Sequence, residues 1–155
     1  MSVAETLVAR AKDAHAIIAT AESCTGGMVS AAITDVAGSS AVLDRGFVTY
    51  SNDAKMQMLG VTAASLAAFG AVSEEVAVEM VRGALERSGA TVAVSVTGIA
   101  GPGGSDHKPE GRVCFACATT DSTSVETVEF GALGRAHVRC AARDHALKML
   151  LAALT

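Results

Sequence analysis

The sequence predicts a single three-layer α/β/α domain built on a mixed, mostly parallel sheet. Three observations carry that prediction. Short apolar runs alternate with segments of helical period along most of the chain, the pattern of a sheet covered on both faces. Two strand-like segments follow one another directly near the end, which adds an antiparallel member. The length of 155 residues matches one ordinary domain, 1–155, with no linker, repeat or low-complexity stretch to divide it.

In chain order, residues 3–14 place Val3, Leu7, Val8 and Ala11 on one stripe, which predicts an amphipathic helix. AIIAT (16–20) is a short apolar run and predicts a buried strand. The chain turns through Glu22-Ser23-Cys24-Thr25-Gly26-Gly27 and re-enters helix at MVSAAITDV. A brief helical turn follows Gly38-Ser39-Ser40, and RGFVTY (45–50) predicts a second strand. SNDAKMQML is helical, and Thr62 and Ser73 are placed to cap two further helices, the second through EEVAVEMVRGALER. TVAVSV (91–96) is a continuous apolar run of the parallel-strand kind. It opens into a glycine-rich loop, 97–111. Strands near 112–119 and 123–130 and an amphipathic helix over about 135–153 complete the chain.

Composition narrows the function classes. Half the residues are hydrophobic and 18% charged, which excludes a disordered chain. The net charge of −4 argues against nucleic-acid binding. It leaves room for a small anion, since a helix N-terminus attracts phosphate locally. No run approaches the roughly 18 apolar residues of a membrane span, and MSVAETLVARAKD lacks a signal peptide's apolar stretch, so a cytoplasmic address is expected. Cys114 and Cys117 form a CxxC inside a strand, where residues three apart face opposite ways. With the four histidines also scattered, no metal site and no cofactor are expected.

Ligands of open α/β sheets bind beyond the carboxyl ends of the strands. Two loops rich in Gly, Ser and Thr leave buried strands here, 21–27 and 97–111, and the first leads straight into a helix N-terminus, an anion site by its dipole. Neither fits a P-loop or a dinucleotide fingerprint. Ser105-Asp106-His107-Lys108 satisfies the bare S-x-x-K expression, but that chemistry needs a helix, and Pro109 pushes Lys108 towards extended geometry. Lys55, set among Ala54, Met56 and Met58, reads either as a surface lysine or as a partly desolvated base.

Five ordered motifs then give a resemblance. AESCTGG (21–27), AGSS (37–40), RGFVTYSNDAK (45–55), GAVSEEV (70–76) and VTGIAGPGG (96–104) resemble the C-terminal domain family of competence-damage protein CinA over residues 3–150. Stand-alone members are nicotinamide-nucleotide amidohydrolases. The resemblance implies the α/β/α fold, a homo-oligomer of two or more subunits, and metal-free hydrolysis of the carboxamide of nicotinamide mononucleotide. It implies Ser40 as nucleophile with Tyr50 and Lys55 as activating partners. It also implies a substrate pocket drawn from both loops: Glu22, Ser23, Thr25 and Gly26 from the first, and Thr97, Gly98, Ala100 and Gly101 from the second. The chain departs from the family after Gly101-Pro102 and at Glu110, where most relatives have a small apolar residue. Two other readings compete: a nucleotide-binding or regulatory module without turnover, and an amidase for another carboxamide.

Overall fold

The computed structural model describes residues 1–105 and 107–155; Asp106, within the S-x-x-K match, lies outside the described residues. Five strands form one sheet in the order β2-β1-β3-β4-β5: β1 Ile18–Glu22, β2 Leu43–Val48, β3 Val92–Gly98, β4 Arg112–Thr119 and β5 Thr123–Glu129. β2, β1 and β3 run parallel, and β4 pairs antiparallel with both β3 and β5, so that it alone runs against the other four strands. The helices are α1 Val3–Asp13, α2 Met28–Thr34, α3 Asn52–Leu59, α4 Ala63–Phe69, α5 Glu74–Glu86 and α6 Arg135–Ala153. This is the mixed, mostly parallel three-layer architecture expected from the sequence.

The two faces of the sheet differ in side-chain size, and alternation along the strands produces the difference. One face presents Ile18, Val92, Val94, Val96, Val113, Phe115 and Cys117 to α1, α2 and α6. The other presents Ala19, Ala21, Ala93, Cys114, Ala116 and Ala118 to α5 and the end of α3. Cys114 and Cys117 therefore lie on opposite faces, as the strand reading requires. Small residues on the second face let α5 approach closely. At Gly83 of α5 the contact is closer still: a Cβ there would stand 1.9 Å from the carbonyl oxygen of Leu59. We expect Gly83→Ala to cost about 1–3 kcal/mol through this overlap, outweighing the roughly 1 kcal/mol gain in helix propensity. Denaturant unfolding checks it, and unchanged or raised stability would show that α3 yields freely.

β1 ends at Glu22 and β2 begins at Leu43, two residues from the boundaries expected. Glu22 stays in the strand because it pairs with both Val48 and Val96 while its side chain is held by α2. Tyr50 lies beyond β2, in the turn before α3.

Candidate active site

A cleft of about 470 Å³ opens at the carboxyl ends of β1, β2 and β3, within the range that holds a small organic ligand. Ser23 and Cys24 follow β1, Tyr50 and Asn52 follow β2, Thr97 and Gly98 end β3, and Ile99 to Ser105 follow it. Lys55 of α3, Leu66 of α4, Gly70–Val72, Lys108 and Arg135 complete the wall.

Lys55 sits at its base because of the helix that carries it. Ser51 caps α3 by accepting from the Ala54 N–H, and Gly60 ends it in a left-handed conformation at φ 72°. Within those limits Lys55 and Leu59, four residues apart, share the inward face and are both buried. The Lys55 ammonium is within hydrogen-bonding distance of three oxygens: Ser23 Oγ at 2.9 Å, the Thr49 carbonyl at 3.0 Å and the Tyr50 carbonyl at 3.2 Å. Burial disfavours its charge and lowers its pKa to about 8. A neutral amine has two N–H donors and one lone pair. The two carbonyls take the donors, which leaves the lone pair facing the Ser23 hydroxyl.

The neighbouring thiol does not compete. Burial pushes Cys24 up to about 11, so it remains a protonated, weakly nucleophilic thiol at neutral pH. Two further cations reach the cleft. Lys108 donates to the carbonyls of Phe69 and Val72, both at 2.5 Å. Arg135 donates to the Gly101 carbonyl at 2.5 Å and to the Tyr50 hydroxyl at 2.9 Å. Among the described residues no carboxylate lines the cleft. It is a cationic site on a chain of net charge −4. No group of His, Cys, Asp and Glu suited to a metal ion occurs among the described residues.

Measured against expectation, Ser23, Tyr50, Lys55, Thr97, Gly98, Ala100 and Gly101 come together here. Ser40 does not. It is exposed on a 3-10 turn, Ser39–Ala41, that precedes the first residue of β2, whereas Lys55 lies beyond the last. Six strand residues at about 3.3 Å each put it roughly 20 Å from Lys55, at the amino-terminal end of β2. Tyr50 meets Lys55 through its carbonyl, and its phenol turns to Arg135.

Glu22 is also displaced from the expected role. It is fully buried, and its carboxylate accepts from the N–H groups of Gly27, Val29 and Ser30. The start of α2, read as a place for a ligand anion, is filled by the protein's own. Thr25 and Gly26 turn towards α6, where Arg139 donates to the carbonyls of Cys24 (2.9 Å) and Thr25 (3.3 Å). Ser105 and Lys108, the two ends of the S-x-x-K match, exchange backbone hydrogen bonds. Glu110 accepts from the Gly103 N–H at 2.8 Å and so ties two points of the loop after β3 together.

The profile of the CinA C-terminal domain matches residues 1–154, the whole chain but its last residue. This chain belongs to the CinA C-terminal domain family. Within it, a stand-alone relative named nicotinamide-nucleotide amidohydrolase PncC, from Escherichia coli strain K12, is 51% identical over 97% of this chain and 92% of its own length. A CinA-like protein of Chlorobium limicola is 63% identical over 102 residues, which make up 24% of that longer protein. Among solved CinA-superfamily structures, competence/damage inducible protein CihA from Agrobacterium tumefaciens superposes with a TM-score of 0.94 at 48% identity, covering 97% of this chain and 92% of that one. A superfamily protein from Klebsiella pneumoniae 700603 gives 0.94 at 35% identity. Among the described residues no helix is long and apolar enough to cross a membrane.

The sequence brings up Lys108 only within the S-x-x-K match and does not single out Arg135, yet Arg135 carries a signal. It is the first residue of α6, where the helix dipole disfavours a cation. The cation set there against the local field is held by the Gly101 carbonyl and the Tyr50 hydroxyl at the cleft.

Proposed function

We propose that this enzyme hydrolyses the carboxamide of nicotinamide mononucleotide to nicotinic acid mononucleotide and ammonia, with Ser23 as nucleophile and Lys55 as its base. The observation that carries this reading is the 2.9 Å contact between the Ser23 hydroxyl and a buried lysine of lowered pKa. The relatives named nicotinamide-nucleotide amidohydrolases supply the substrate class.

Lys55 takes the Ser23 proton as Oγ attacks the carboxamide carbon. The N–H groups of Ala100 and Gly101, which make no hydrogen bond among the described residues and belong to the cleft wall, face the developing oxyanion. The protonated Lys55 returns its proton to the departing ammonia. Water, activated by the same amine, then releases the acid from the acyl-serine. The pairing is a Ser-Lys variant of the nucleophile–base arrangement.

Lys108 and Arg135 hold the phosphate. Binding energy gained on that remote group aligns the carboxamide on Ser23, so losing it lowers kcat as well as kcat/KM. We expect nicotinamide riboside and free nicotinamide to be poorer substrates than the mononucleotide by at least about a hundredfold in kcat/KM, on the order of 2.7 kcal/mol. Arg135→Met and Lys108→Met should shrink that gap by weakening the mononucleotide alone. Ammonia release from all three compounds at one pH decides it. Equal values for riboside and mononucleotide would make this a general nicotinamide amidase.

A further inference from the structure

β1 ends in two residues that stand back to back. Alternation continues from Ile18 and Thr20 to Glu22, so Glu22 faces α2, and Ser23 turns the other way, towards Lys55 of α3. The Glu22 carboxylate is fully buried and saturated. Oε1 accepts from Gly27 N (3.2 Å) and Val29 N (2.9 Å), and Oε2 from Ser30 N (3.1 Å) and Ser30 Oγ (2.8 Å). Its ion-pair partner among the described residues is no lysine or arginine; helix N–H groups balance the charge instead. Capping a helix does not need this arrangement, because a side chain at the N-cap does it locally. Here the N-cap is Gly27, with no side chain to offer. The cap is delegated across the loop to a residue of β1, which ties the start of α2 to the strand end and fixes the span of Ser23 to Gly26 between them.

The tie reaches the base as well. The Glu22 carbonyl accepts from Thr49 N at 2.8 Å, and the Thr49 carbonyl accepts from Lys55 at 3.0 Å. On the far side Ser30 Oγ meets Thr20 Oγ1 at 2.7 Å. The cluster closes over Gly46, where a Cβ would stand only 2.4 Å from Ser30 Oγ. Burying a carboxylate without a cation costs stability, and an apolar residue of the same volume avoids that cost. What an apolar residue lacks is four directed acceptor contacts.

We propose that Glu22 is a positioning residue for the reaction: its carboxylate, clamped on the first turn of α2, sets where Ser23 stands relative to Lys55. The role rests on the Ser23–Lys55 reading above. The test compares wild type, Ser23→Ala, Glu22→Gln, Glu22→Asp and Ser30→Ala as intact proteins. It measures kcat and KM for nicotinamide mononucleotide, the rate at which a small sulfonyl fluoride labels Ser23, and thermal unfolding. Glu22→Gln should lower kcat and the labelling rate together by about a hundredfold, the effect of an ångström-scale misplacement, with KM little changed. Glu22→Asp, one methylene short of α2, should fail to rescue either. Ser30→Ala removes one of four donors and keeps the charge, so a loss on the order of tenfold is expected in a stably folded protein.

Native kcat and labelling in Glu22→Gln would overturn the proposal. So would losses that vanish when the variant is assayed well below its own unfolding transition, since Glu22 would then serve the fold alone. An active wild type whose Ser23 is never labelled would overturn the Ser23–Lys55 pair itself and the positioning role with it.

Discussion

Ser23→Ala should lower kcat by at least about a thousandfold, in the range seen when a covalent nucleophile is removed. The substrate should still bind, because Lys108 and Arg135 are untouched. Ser40→Ala, an exposed change at the amino-terminal end of β2, should leave kcat within about twofold of wild type. Measured side by side, the two variants separate the family motif from the geometry. A silent Ser23→Ala beside an inactive Ser40→Ala would mean that the reacting serine is brought in from outside this cleft, and the Ser23–Lys55 assignment would fall.

Lys55 should give the second large effect, and its sign follows from burial. The amine acts as a base only when neutral, and its pKa is lowered to about 8. Below that value each pH unit removes about nine-tenths of the active form, so kcat/KM should rise about tenfold per unit and level off above pH 8. About a tenth of the enzyme carries a neutral lysine at pH 7. Lys55→Ala should lose at least about a thousandfold at every pH. An acidic limb that persists unchanged in a residually active Lys55→Arg variant would assign the titration to another group.

The same shift also acts on folding. The folded pKa lies below the roughly 10.4 of an unfolded lysine, so between about 8 and 10.4 the unfolded chain binds the extra proton. The stability cost of burying Lys55 is therefore present in full below pH 8 and fades as pH rises through that window.

The fold was legible because period and length carry it. The runs at 16–20 and 91–96 and the stripes at 3–14 and 135–153 each fit one kind of element, and their alternation fits one architecture. The end of β1 escaped, since nothing local says that the charge on Glu22 belongs inside. α2, starting six residues later, makes that position strand-like by supplying its hydrogen bonds. In the site, Lys55 drew notice through its apolar neighbours, and Ser23 and Thr97 through the loops that carry them. Ser40 lies apart from this cleft because a motif states residue order and not the end of the strand where it lands. Glu22, Thr25 and Gly26 stand outside the cleft wall for a related reason: a glycine-rich loop can face a ligand or the next helix, and here Arg139 of α6 donates to its carbonyls.

The cleft draws its parts from nearly the whole length of the chain. Lys55 meets a serine 32 residues away, Lys108 a carbonyl 39 away, and Arg135 a phenol 85 away. Each such closure costs loop entropy that only the completed sheet offsets. No fragment of the chain holds a reduced version of this site, and excursions that detach α6 or α3 abolish it even while most of the backbone stays folded. Turnover in this protein is thus a readout of global cooperativity. A mutation far from the cleft that loosens the docking of a single helix would surface first as lost activity, before it appeared as an altered melting curve.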